Sequence, residues 1–115
     1  MNNTDTKLVR GNLVDIISRE IYGAVVTISD GKISKIERTG IVESNYILPG
    51  FIDAHVHIES SMCTPLNFGA AACKHGTIGI VADPHEIANV LGVEGIDFMV
   101  NNAKEAPFYY WIGVP

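Results

Sequence analysis

PGFIDAHVHIESS, residues 49–61, places two histidines and two acids at the end of an apolar run. In a strand, side chains two apart share a face. Asp53, His55 and His57 therefore form one row, and Ile52, Ala54, Val56 and Ile58 form the other. One row is ionisable and the other is wholly apolar. In a barrel strand the apolar row packs under helices and the histidine row points inward, at the end where catalytic groups sit. Two imidazoles at this spacing can aim nitrogens at one cation or at neighbouring cations, which makes His55 and His57 the metal-ligand candidates. Asp53 either orients a histidine from behind or only satisfies backbone groups lower in the strand. Three protein ligands and an open position are the usual minimum for a catalytic zinc, so further ligands must come from elsewhere in the fold.

Downstream, the pattern alternates strand and helix. Thr64-Pro65 supplies a helix cap followed by proline at the first helical position. Leu66, Gly69, Ala70 and Cys73 then mark a helical face, and Lys74-His75-Gly76 reads as its stop signal, giving His75 a structural role. TIGIVAD, residues 77–83, is a strand buried on both faces. A helical stretch with Val93, Ile96, Val100 and Ala103 on one stripe follows, Pro107 ends it, and FYYWIGV, residues 108–114, forms a third strand. Strands joined by helices pair in parallel through right-handed crossovers. An open doubly wound sheet and a (β/α)8 barrel both begin this way. A barrel needs roughly 250 residues, so these three strands read as part of a larger sheet. ADPHEIANVLG, residues 82–92, brings Asp83 and His85 to the same end as the histidine pair. Asp83 or Glu86 can equally cap the next helical turn.

Upstream, the segments are short and strand-like. Leu8-Val9 precedes a turn-like Gly11-Asn12, after which Leu13-Val14 and Ile16-Ile17 resume. Residues 24–28 alternate up to Asp30-Gly31, a hairpin signal. Ile33 and Ile36 fall on opposite faces of the returning strand, which predicts a bulge or an early end. The first 45 residues thus read as a small antiparallel sheet.

Charge and composition exclude several classes. A net charge of −5 over 115 residues provides no basic face for nucleic acid, and no segment suits a membrane helix. The N-terminus has no apolar signal region. With that, Cys63 and Cys73 read as reduced thiols in a cytoplasmic protein. His57-Ile58-Glu59 matches half of a cytidine-deaminase signature, but neither cysteine belongs to the C-x-x-C that it requires. An open nucleotide-binding sheet lacks its Gly-rich first turn.

PGFIDAHVHIESS strongly resembles the first-strand motif of the amidohydrolase superfamily, P-G-[FL]-[IV]-D-x-H-x-H. HIESSM and DPHEIANVLG more narrowly resemble adenine deaminases of the bacterial type, and the similarity runs from about Leu8 to Pro115. The resemblance implies an α/β chain. Residues 1–47 would form part of a composite β-sandwich, and residues 48–115 the first three strands and two helical connections of a metal-dependent (β/α)8 TIM-like barrel. It implies a divalent, binuclear site of manganese or iron, with zinc as an option, held in part by His55 and His57. The implied reaction is hydrolysis of adenine to hypoxanthine and ammonia in purine salvage, by a homo-oligomeric full-length enzyme with a small-molecule substrate. The catalytic aspartate and remaining ligands of that family match nothing before Pro115, so the 115 residues alone are expected to be inactive. Asp83, His85, Glu59 and Asp53 are candidates for contacting substrate or for ordering the ligands from behind. The alternatives are a dihydroorotase- or allantoinase-like amidohydrolase, or a non-catalytic metal-binding module.

Overall fold

The computed structural model describes residues 5–113. The chain forms two compact units that divide between Pro49 and Gly50. Together they contain both sheets and helices, a mixed α/β protein.

The first unit is a four-stranded sheet of β1 (Thr6–Asp15), β2 (Glu20–Ser29), β3 (Lys32–Arg38) and β4 (Tyr46–Ile47), in the order β3-β2-β1-β4. Asp30 and Gly31 both take positive φ, 52° and 74°, as a tight hairpin turn between β2 and β3 requires. The irregularity expected in the returning strand lies opposite Thr27 and Ile28, where the register passes from Lys35 to Ile33. The extra residue lets β3 continue to Arg38 instead of ending early.

Two upstream expectations are corrected. Gly11-Asn12 is no turn, because β1 pairs without interruption from Thr6 to Asp15 along β2. Gly11 is there for clearance: a Cβ would lie 2.8 Å from the Ile47 side chain. Ile16-Ile17 is not strand but part of the connection to β2, and Ile17 is 92% exposed. The sheet is also mixed, since β4 lies parallel to β1. Asn12 is buried and welds that side: its amide nitrogen donates to the Glu43 carbonyl at 2.6 Å, and its oxygen accepts the Glu43 N–H at 3.1 Å.

The second unit holds three parallel strands in the order β5-β6-β7, namely β5 (Phe51–Val56), β6 (Thr77–Ala82) and β7 (Tyr109–Ile112). The β5–β6 crossover contains α1 (Pro65–Ala72), capped by Thr64 with Pro65 at its start. A 3-10 turn at Cys73–His75 then closes on Gly76 at φ 88°. The β6–β7 crossover contains two helices rather than one, α2 (His85–Leu91) and α3 (Val93–Ala103), broken at Gly92. Val114 of the expected third strand lies outside the described residues.

β6 is central and the most buried strand, as its continuous apolar run predicted, although Ile78 near its start stays 41% exposed. Ile80 and Ala82 join Ile58 and Met99 in a sealed core, with Val56, Phe68 and Ile87 packed around it. Two helical faces differ from expectation. On α1, Pro65 and Gly69 are buried while Ala70 and Cys73 are exposed. The rotation follows from Gly69, whose missing side chain admits Phe108 and the Tyr110 hydroxyl. On α3 the inward residues are Gly95, Met99 and Ala103, and Val93 is 72% exposed. Gly95 turns inward because a Cβ there would meet Ile87 at 2.7 Å, so the contact with α2 sets the rotation. The apolar row of β5 is covered only in part: Ile52 is 55% exposed and Ala54 is exposed as well, while Val56 and Ile58 further along reach the core. Cys63 and Cys73 are free thiols.

Candidate metal centre

The parallel sheet delivers its strand ends to one rim. Val56 and Ile58, anchored in the core, flank His57 and fix its backbone. β5 pairs irregularly with β6 between Asp53 and Val56, so the chain is not a uniform ribbon where His55 leaves it. The outcome is convergence: Nε2 of His55 and Nε2 of His57 lie 3.1 Å apart. The rings meet edge to face with centroids 4.9 Å apart.

His57 has its tautomer set from the neighbouring strand. Its Nδ1 lies 3.0 Å from the Asp83 carbonyl, an acceptor only, so Nδ1 carries the proton and Nε2 presents a lone pair. His85, at the start of α2, sits with its ring centroid 4.7 Å from that of His57. Its Nδ1 is 3.2 Å from Oδ2 of Asp83. Burial pushes the Asp83 carboxyl up, but the hydrogen bond from His85 and the neighbouring imidazoles of His85 and His57 outweigh it, leaving the group below its usual range. Asp83 Oδ1 is buried and faces no donor among the described residues. An unpaired buried carboxylate oxygen is costly unless something cationic meets it.

Two sets of side chains have ligand atoms within 4.8 Å of one another: His55, His57 and Asp83, and His57, His85 and Glu86. They share His57. Imidazole nitrogens with carboxylate oxygens suit manganese, iron or zinc, so the donor chemistry and the orphaned Asp83 oxygen fit a divalent metal.

The remaining sequence candidates lie around this cluster. Asp53 does not reach the rings; its Oδ1 accepts the backbone N–H of His55 at 3.0 Å. Glu59 turns away from the rings toward α2 and accepts the Ile87 N–H at 3.2 Å. His75 stands apart in the turn after α1. Sequence reasoning did not single out Glu86 as a ligand candidate or Ser60 at all. The signal for Glu86 was its position beside His85 in the first turn of a helix, where an acid reads equally well as a favourable end charge.

The family model described as the amidohydrolase family matches residues 46–115. An adenine deaminase of Parabacteroides distasonis is 61% identical over 115 residues, which cover 100% of this chain and 21% of that protein. Adenine deaminases of Salinibacter ruber and Borreliella burgdorferi are 50% and 48% identical over 107 residues, covering 93% of this chain and 20% of each relative. The chain thus spans about a fifth of the length of the curated relatives it matches.

Proposed function

The chain belongs to the amidohydrolase family, and on that premise we propose that it is the metal-binding opening of an enzyme that hydrolyses adenine to hypoxanthine and ammonia. The observation that carries the reading is the convergence of His55, His57 and Asp83 within 4.8 Å at the end of a parallel sheet. The names of the relatives supply the substrate.

In this reading His55 and His57 would hold a divalent ion of manganese, iron or zinc through Nε2, with Asp83, His85 and Glu86 the further candidates for that ion or for a second one. Such an ion, when bound, brings the acidity of water toward neutrality. The hydrogen bond from His57 Nδ1 to the Asp83 carbonyl would keep the Nε2 lone pair available to that ion. The Asp83 carboxylate holds His85 by its Nδ1 proton and leaves the opposite ring edge free to meet the purine or to pass a proton at Nε2. The later strands would supply the other ligands and the acid–base carboxylate.

The same proposal assigns the first unit to a composite β-sandwich and the second to the first strands of a (β/α)8 barrel. Two features support it. An apolar hollow of about 480 Å³ lies on the first sheet, lined by residues including Leu13, Ile33, Ile36 and Ile47. A second hollow, about 400 Å³, runs between α3 and β7 past Val100, Phe108 and Ile112, where a further β/α unit would pack. A cytoplasmic enzyme fits the two free thiols, and among the described residues no helix is long and apolar enough to cross a membrane.

The test uses the longest natural polypeptide that carries this sequence, loaded with manganese. It should release ammonia from adenine, and His55→Ala should lose bound metal and reduce turnover by more than the 10–100-fold typical of groups behind the ligands. A wild type that opens cyclic amides and spares adenine would shift the assignment to a dihydroorotase- or allantoinase-like enzyme. Full metal content in His55→Ala would remove the ligand role.

A further inference from the structure

The loop after β5 does more than carry ligands. Beyond His57 the chain buries Ile58 completely and then makes a 3-10 turn at Glu59–Ser61. From this turn two consecutive side chains reach α2, which belongs to the next crossover. Glu59 Oε1 accepts the N–H of Ile87, the third residue of α2, at 3.2 Å. Ser60 Oγ donates to Glu86 Oε1 at 2.8 Å.

Helices ordinarily satisfy their first free N–H groups with a serine, threonine, aspartate or asparagine immediately before the first turn. Here that position is Pro84, which makes no side-chain cap. A residue 28 positions away does the work instead. Reaching in from elsewhere has a cost, since Glu59 Oε2 is buried and faces no donor among the described residues. A local cap would hold the helix more cheaply, but it would not tie the helix to the loop that bears the histidine pair.

What that tie controls is His85. It is the first residue of α2, and its ring stands 4.7 Å from that of His57. Neither set of converging ligand atoms includes Glu59. We propose that Glu59 is a positioning residue: with Ser60 it clasps the first turn of α2 and so holds His85 against His57. The role rests on the deaminase reading only for its activity readout, because the clasp itself is a property of the fold.

The experiment compares Glu59→Ala, Glu59→Gln and Ser60→Ala in the longest natural polypeptide, manganese-loaded. It reads metal content, adenine turnover and hydrogen exchange at the Ile87 amide. Glutamine keeps the accepting oxygen and loses the charge. Glu59→Ala should speed Ile87 exchange, keep the metal held at His55 and His57 and lower kcat by 10–100-fold, in the range of groups that orient a metal site from behind. Glu59→Gln should recover protection and most of the turnover, and Ser60→Ala should show a smaller loss of the same kind. On a His85→Ala background, Glu59→Ala should cost nothing more, since two changes acting through one group do not add. A Glu59→Gln protein as impaired as the alanine variant, or one that has lost metal, would make the charge itself functional and overturn the proposal. So would an alanine variant with unaltered Ile87 exchange. If the wild type spares adenine, the deaminase reading fails, while Ile87 exchange in the same variants still decides for or against the clasp.

Discussion

The two units solve the problem of order differently. The sheet of residues up to Pro49 buries little besides small side chains, with Ala24 and Val26 its buried apolar residues. It is held by long backbone ladders, by the Asn12–Glu43 pair and by glycines that let chains approach. The unit from Gly50 has a true side-chain centre, with Ile58 and Ile80 at 0% exposure. The residues of that centre run directly into the rim that bears His57. Chemistry is placed on the unit whose positions are fixed by packing, since a packed core resists small displacements while a ladder with an exposed face does not.

If this contrast is right, truncating the two units should hurt for different reasons. The largest effect is expected from Ile80→Ala, which empties the sealed centre and should cost about 2–5 kcal/mol. Denaturant unfolding would measure it, and metal affinity should fall with it because Asp83 follows directly on β6. A loss below about 1 kcal/mol would mean that the centre is looser than its burial suggests. Gly23→Ala attacks the other kind of order. A Cβ there would stand 1.9 Å from the Ile41 carbonyl oxygen, so the chain beyond β3 must move. We expect about 1–3 kcal/mol of destabilisation, with faster amide exchange confined to the first unit and metal content unchanged.

The smallest effect concerns the turn between β1 and β2. Hydrogen bonds from the Ser18 backbone, then its side chain, then the Ile17 backbone hold the Asp15 carboxyl below its usual range. A depressed folded-state pKa stabilises above the unfolded value, about 3.9, and that contribution fades as pH falls through the lower folded value. The Ile17 and Ser18 amides should therefore lose exchange protection in acid, and Asp15→Asn should flatten the pH dependence. Equal pH dependence in wild type and variant would assign it to another carboxylate.

The same contrast explains what could be read from sequence. The β/α/β order, the central burial of residues 77–82, the Thr64-Pro65 helix start and the Asp30-Gly31 hairpin were all legible, because each depends on local conformational preference or on a continuous apolar run. The helical faces were not. Gly69 and Gly95 turn inward to admit Phe108 and Ile87, and such close approaches are set by the partner, which periodicity does not see. Gly11-Asn12 misled for a related reason, since residues that favour turns also serve where a strand needs clearance and a side-chain hydrogen bond. At the rim, the histidine spacing was readable, whereas the reach of Glu59 and Ser60 to α2 depends on two loops meeting in space.

Gly92 adopts φ 61° and ψ −141° between α2 and α3, a backbone state open essentially to glycine alone. It works as a universal joint. Because the joint interrupts the helix, the direction of α2 is not dictated by the axis of α3, whose Met99 belongs to the sealed centre. Ile87 of α2 still packs against that centre, so the bend at Gly92 lets one interior steady two helices that point in different directions, and the shorter of them carries the histidine.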